Sequence, residues 1–414
     1  MKRLLLLAFL FMIAHPFFGQ NILEEILKQN RATLAPVIDS LDQYEVQIIY
    51  TQVDRDEKNN PHLTTYKFNV DANHYFYPAS TVKFPASILA LEKLHKLSKP
   101  GLTKETPLRI DSAFSGQSRV LYDSTSDNLL PSIGHYIKKI LLVSDNDAQA
   151  RLYEFLGQQY HNERLHELGY KNVCISQRLS ILMTPEENKN TNPFTFYSGD
   201  KVIYQQPAQR SEKDFKIDLP SANRGKGYYR YDKFWEGPMD FRIKNYFALE
   251  EQQRMLIALV MPQLMPENER FEISKEDREF LLHYMATLPR EGDVKAYHDY
   301  KEYNDSYCKY FMYGDTRDTI PSNIRIFNKI GQSYGFLTDN AYIVDFGKNI
   351  EFFLSAVVYT NKDQIFNDDV YEYDAIGFPF LANLGKAVYN YEAARERKVK
   401  PDLSEFKKIV ETQP

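Results

Sequence analysis

Strand-like sequence sits near both ends of this 414-residue chain, and the long stretch between reads mostly as helix. Residues 45–53 and 64–70 carry strand patterns joined by the polar turn 54–61, which predicts a hairpin. Three more runs, 324–330, 341–345 and 351–359, follow one another through short Gly/Asn turns. Strands from opposite ends of a chain most simply share one sheet, with terminal helices on a face and the middle forming a second lobe. The expected class is therefore α/β (α+β). An antiparallel sheet is built from residues 20–77 and 320–414, and a mostly helical lobe from 78–319, with a β-rich insertion at 193–241. Catalytic residues of such an arrangement fall at the seam between lobes, a usual place for pockets.

Helical periodicity marks 22–41, 84–97, 133–143, 148–156, 162–168 (stopped by Gly169), 249–260 and 275–287, and a helix over 378–397 closes the chain. Directly ahead of the apolar run 84–94 stands Ser80-Thr81-Val82-Lys83. Residues three apart share a helix face, so the Lys83 amine is expected to reach the Ser80 hydroxyl. An amine that takes the proton makes serine a nucleophile without histidine, and the N-terminal N–H groups of the helix favour the developing charge. Ser-x-x-Lys also occurs at Ser198/Lys201, Ser306/Lys309 and Ser404/Lys407, so context must select among four copies.

Two further short patterns supply that context. Ser144-Asp145-Asn146 interrupts two amphipathic helices, a rigid turn able to present side chains to a neighbouring site. The same triplet at Ser126-Asp127-Asn128 lies in a polar stretch and reads as an ordinary turn or cap. Lys329-Ile330-Gly331 ends an apolar strand, where a lysine is an odd interior residue and a glycine permits close backbone approach.

In this order the three patterns resemble the Ser-x-x-Lys, Ser-Asp-Asn and Lys-Thr-Gly set of penicillin-recognising serine hydrolases, class A β-lactamases most closely. The resemblance covers nearly all of the chain beyond residue 19. It implies that Ser80 is acylated, and that Lys83 accepts its proton or organises a water that does. Ser144 would relay a proton to the leaving nitrogen, Asn146 would hold the substrate amide, and Lys329 would place positive charge near the substrate carboxylate. The backbone N–H groups of Ser80 and Gln332, beside Gly331, would form the oxyanion hole. Two positions depart from the family. Ile330 replaces a hydroxyl residue, with Ser333 a possible substitute. The glutamate that activates water for release falls, by counting through Arg178, at Ser180. Glu186, followed by Asn190, keeps the family's glutamate-to-asparagine spacing but comes late, with Glu187 competing. The expected activity is β-lactam opening through an acyl-enzyme on Ser80 that water hydrolyses, with Glu186 as candidate base. The alternatives are a D,D-peptidase-like enzyme acting on peptidoglycan peptides and a non-catalytic β-lactam or cell-wall receptor.

Composition sets the remaining bounds. Lys2 and Arg3 precede the apolar run 4–14 and the chain turns polar at Gln20, the pattern of an export signal peptide cleaved after Gly19. The run is too short for the roughly 20 residues of a membrane span. The expected location is periplasmic or secreted, with no membrane span after cleavage. A net charge of −5 spread along the chain argues against nucleic acid as partner. The expected partner is a β-lactam or a peptidoglycan-derived small molecule, and the expected state a monomer. No Cys/His cluster or phosphate loop appears, so no metal or organic cofactor is expected. Cys174 and Cys308 are the only cysteines, and spacing does not establish whether they pair. The abundant Tyr and Phe read as packing, His74 and His135 belong to no motif, and 395–400 reads as a solvated helix end.

Overall fold

The computed structural model describes residues 21–114 and 116–412; the expected signal peptide, residues 1–19, lies outside them. Strands β1 (Gln47–Arg55) and β2 (Pro61–Phe68) join β3 (Ile324–Ser333), β4 (Phe336–Asp345) and β5 (Ile350–Tyr359) in one sheet of order β3-β4-β5-β1-β2. Every pairing is antiparallel, and the two ends of the chain meet where β1 runs beside β5, with Tyr50 opposite Leu354. The β3–β4 hairpin turns on Tyr334 and Gly335, both at positive φ (55° and 79°). Such a two-residue turn matches the strand twist and fixes which residues of β3 face the second lobe.

Side chains alternate across a strand, so β3–β5 feed two cores. Ile326, Ile343 and Phe352, paired in register, pack with Leu23, Leu27, Leu34 and Val37 of the N-terminal helices. Phe327, Tyr342 and Phe353, one residue out of step, pack on the other face with Leu256 and Leu281 of helices Leu249–Val260 and Lys275–Ala286. In the second lobe, helices α1 (Lys83–Leu97), α2 (Ile133–Val143) and α3 (Asn146–Leu156) pack together, and α1 is buried nearly all round. Helix α4 (Phe378–Ala394) covers the first core with Phe380, Leu381, Leu384 and Val388.

Several local expectations need correction. The periodicity over 22–41 resolves into Ile22–Gln29 and Arg31–Ile38, broken at Asn30, whose side chain donates to the Ile26 carbonyl (2.8 Å). A side chain that caps the last turn competes with continuing the helix. The C-terminal helix stops at Ala394, and a further helix, Ser404–Glu411, follows. Residues 395–400 are not simply solvated: Arg395 Nε (3.1 Å) and Arg397 converge on the fully buried Glu392, which also accepts from Tyr50. A buried carboxylate requires such partners. The 193–241 segment is β-rich, with hairpins Phe194–Ser198/Lys201–Gln206 and Gly227–Arg230/Lys233–Glu236. Cys174 and Cys308 are buried free thiols, the former pushed by burial up to about 12. No described helix is long and apolar enough to cross a membrane.

Candidate active site

Ser80 lies in a 3-10 turn, Ala79–Val82, that leads straight into α1. Amides at the start of a helical turn have no carbonyl one turn earlier to bond, so the Ser80 N–H is left without an intrahelical partner. Ala79 holds φ at +46°, a left-handed conformation that costs a residue bearing Cβ about 1–3 kcal/mol and fixes the direction from which Ser80 is presented. Strand β3 runs against this turn. A Cβ placed on Gly331 would lie 2.6 Å from the Pro78 carbonyl and 3.2 Å from the Ser80 nitrogen, which is why the position carries glycine.

The Ser-Asp-Asn turn forms between α2 and α3 by backbone rules. Ser144 ends α2 in the left-handed region (φ 58°), with its N–H on the Ile140 carbonyl and the Asp145 N–H on that of Lys139. These paired bonds satisfy the last carbonyls of a helix. Asp145 then caps α3 by accepting from the Ala148 N–H (2.8 Å). Capping occupies the middle residue and leaves Ser144 and Asn146 to face α1. The earlier triplet is self-contained: Ser126 Oγ donates to Asn128 Oδ1 (2.7 Å), which also accepts from the Leu130 N–H.

Three amines and hydroxyls meet beside Ser80. Lys83 Nζ donates to the Ser144 carbonyl, to Ser144 Oγ (3.2 Å) and to Asn146 Oδ1 (2.7 Å). Lys329 Nζ donates to Ser144 Oγ (2.8 Å) and to its neighbour's carbonyl (Ile330 O, 3.0 Å). Lys83 makes no hydrogen bond to Ser80; instead of the expected direct pair, its amine is bonded to Ser144 and Asn146. A hydroxyl oxygen that accepts from two amines has its own proton free to donate. Burial, and then the Lys329 charge, holds Lys83 well below the usual lysine range. Burial brings Lys329 down to about 8. Burial and the Lys329 charge both favour the neutral form of the Lys83 amine, the form able to take a proton from serine.

Ser80, Ser144, Asn146, Ile330 and Gln332 open onto one cleft of about 720 Å³, within the ~300–1,000 Å³ usual for small-molecule sites. Its other wall comes from Tyr307, Tyr310 and the 314–317 segment. This wall is tied to the sheet. Asp339 Oδ2 on β4 accepts from the Tyr310 (3.1 Å) and Phe311 (3.2 Å) amides, and its Oδ1 accepts from Asn328 (2.7 Å). Lys309 Nζ bonds Asn328 Oδ1 and the Met285 carbonyl (each 2.6 Å), so the Ser306/Lys309 copy spends its amine on structure. A charged residue on β4 facing an apolar-looking strand is the only trace of this network in the sequence.

Glu186 is not brought to the site. Its exposed carboxylate is held by Lys189 (2.8 Å) and Arg210 (2.7 Å), which keep it below the usual range, and it does not line the cleft. The physical reason lies in the loop's anchors. Arg178, fully buried, binds Glu154 (3.0 Å) and the Asn190 carbonyl (2.7 Å), while the Asn188 side chain accepts from the Arg178 N–H (3.1 Å). The segment between these anchors faces outward. Glu187 caps the short helix Pro185–Asn188 through Thr184 (2.7 Å), and Ser180 is exposed at positive φ. Asp145 is the one carboxylate acting on Lys83 among the described residues. His74 binds Glu45 (2.6 Å) and His135 binds Thr125 (2.8 Å), both outside the cleft lining. Among the described residues, no group of three or more His, Cys, Asp or Glu is placed to hold a metal ion.

Residues 30–206 match the model of the beta-lactamase enzyme family. The matched stretch contains Ser80, Lys83, Ser144 and Asn146. Similar solved structures include a beta-lactamase from Sphaerobacter thermophilus (13% identity, 90% of this chain and 98% of that one, TM-score 0.48). A class A beta-lactamase from Clostridium kluyveri (12%, 88% and 98%, 0.45) and PBP-A (12%, 89% and 95%, 0.49) are similar at the same level. No curated protein matches the sequence.

A pH dependence follows from Lys329. It is charged below about pH 8 and neutral above. The apparent affinity for a penicillin bearing a free carboxylate is expected to fall as pH rises through 8, while that for its methyl ester stays flat. Saturation kinetics of Ser80 labelling between pH 6 and 10 measures the difference, and equal profiles would remove Lys329 from carboxylate binding.

Proposed function

We propose that this protein is a serine acyl-transfer enzyme of D,D-peptidase type, acting on peptidoglycan-derived peptides and trapped by β-lactams. The observation that carries the reading is that two buried amines, Lys83 and Lys329, both bond the Ser144 hydroxyl, which lines the same cleft as Ser80. Ser80 Oγ attacks the carbonyl as Lys83 takes its proton. The N–H groups of Ser80 and Gln332 hold the oxyanion, and Ser144 donates its proton to the departing nitrogen, reprotonated from Lys83. With a peptide, the amine product leaves, and a water or acceptor amine entering in its place attacks the ester carbonyl, losing its proton through Ser144 to Lys83 as the Ser80 oxygen departs and is reprotonated. With a β-lactam, the leaving nitrogen stays tethered, and release needs a water activated on the other side. A base for that water is what Glu186, bound to Lys189 and Arg210, does not supply.

The reading is tested with labelled penicillin. One label per chain is expected, on Ser80, persisting for many minutes, and Glu186→Gln is expected to leave the release rate within twofold. Rapid multiple turnover in the wild type, lost in Glu186→Gln, would instead make the protein a β-lactamase whose loop rearranges to bring Glu186 in.

A further inference from the structure

Helix α2 carries a lysine among its buried residues. Lys139 Nζ lies 3.0 Å from Asp123 Oδ2, and both residues are more than nine-tenths buried. The other Asp123 oxygen is taken by its own turn. It accepts from the Thr125 N–H (3.0 Å) and hydroxyl (2.6 Å), with His135 Nε2 at 3.6 Å. The same Lys139 Nζ lies 4.0 Å from Asp145 Oδ2, while Asp145 Oδ1 caps α3. The Lys139 carbonyl also accepts from the Asp145 N–H (3.3 Å), so backbone and charge both join the two residues.

Replacing a buried ion pair by apolar residues of similar volume is often neutral or stabilising, so stability alone does not account for this one. Its neighbour does. Asp145 stands between Ser144 and Asn146, which hold Lys83, and its carboxylate favours the charged form of that amine. A negative charge there works against a general base. Lys139 sets a positive charge against it, and Asp123 fixes that charge in place. Resting on the acyl-transfer reading of Ser80, we infer that Lys139 is a positioning residue for Lys83. By offsetting Asp145 it keeps the Lys83 amine free of a proton until Ser80 supplies one. Two other groups face Lys83: Lys329 from β3, and the Cys308 thiol, which burial pushes up. Tyr297, Tyr303 and Tyr307 face Asp145. All are raised, Tyr297 and Tyr307 first by burial and Tyr303 first by its bond to Glu302, and they stay uncharged.

The test is the pH profile, from pH 5 to 9, of the Ser80 labelling rate at saturating penicillin, which reads the chemistry and not the affinity. Its acid limb marks protonation of the base. Lys139→Met is expected to move that limb up by about one pH unit, because an unopposed carboxylate draws a proton onto Lys83. Asp123→Asn, which leaves Lys139 to act on Asp145 alone, is expected to move it down. Lys139→Arg, which keeps the charge, should return it toward the wild-type position. If Lys139→Met does not fold, the double variant Lys139→Met with Asp123→Asn buries no lone charge and should also move the limb up. Folded variants with the limb at its wild-type position, or with a rate lowered equally at every pH, overturn the inference and leave the acyl-transfer reading standing. So do shifts of Lys139→Met and Asp123→Asn in the same direction, or a wild-type rate that is flat over this range. Absence of penicillin labelling in the wild type overturns that reading and the inference together.

Discussion

Ser80→Ala is expected to abolish covalent labelling by penicillin, and Lys83→Ala to slow it by about 10²–10⁴-fold, the usual contribution of a positioned general base. The two effects have different origins. Alanine at 80 removes the only atom that forms the acyl bond. Alanine at 83 leaves the hydroxyl but removes its proton acceptor, and it also orphans the groups that Lys83 now satisfies, namely the Ser144 carbonyl, Ser144 Oγ and Asn146 Oδ1. Because Lys83 is fully buried and held well below the usual lysine range, its replacement removes a destabilised amine, so the fold should tolerate the loss better than the chemistry does. Intact-mass spectrometry after timed exposure to penicillin measures both variants. Labelling of Ser80→Ala at the wild-type rate would place the nucleophile elsewhere.

Gly331→Ala is expected to cost about 10²–10³ in the labelling rate, comparable to losing one oxyanion donor. The new methyl carbon meets the Pro78 carbonyl at 2.6 Å, Thr338 Cγ2 at 2.9 Å and the Ser80 nitrogen at 3.2 Å. Two of these are backbone atoms, so no side-chain rotation relieves the clash. The Pro78 carbonyl also accepts from the Thr81 N–H (3.1 Å) and Thr81 Oγ1 (2.8 Å), so pushing it away moves the turn that carries Ser80. Overpacking of this kind costs about 1–3 kcal/mol, too little to unfold a chain with two extensive cores. Circular dichroism and a thermal melt should therefore report a folded protein with defective acylation. A variant that labels at the wild-type rate would show that strand β3 is free to move away from the nucleophile turn.

The sheet was legible because its information is local. Apolar runs at 324–330, 341–345 and 351–359 and the hairpin turn at 54–61 mark strands wherever they lie, and five strands with helices at both ends leave few ways to close one sheet. Helix ends were less legible. The break at Asn30 and the stop at Ala394 depend on single side-chain bonds and on Glu392 drawing Arg395 and Arg397 inward, neither of which alters periodicity. At the site, spacing brought Ser80 and Lys83 to one turn, and the helix–turn–helix pattern singled out Ser144 and Asn146 over Ser126 and Asn128. It did not reveal that Lys83 bonds Ser144 rather than Ser80, because the distance between helices α1 and α3 is not written in either.

The sequence by itself determined the candidate nucleophile, its amine, and the turn and strand end that serve them, since each is a short pattern whose geometry follows from helix and strand periods. Only the tertiary structure decided what surrounds them. Asp339, from a distant strand, ties the 308–311 segment over the cleft, and Arg178 and Asn188 turn Glu186 toward solvent, where Lys189 and Arg210 hold it. Such outcomes depend on pairs far apart in the chain, whose energies are set by burial and by which partner reaches first, and no local pattern encodes them.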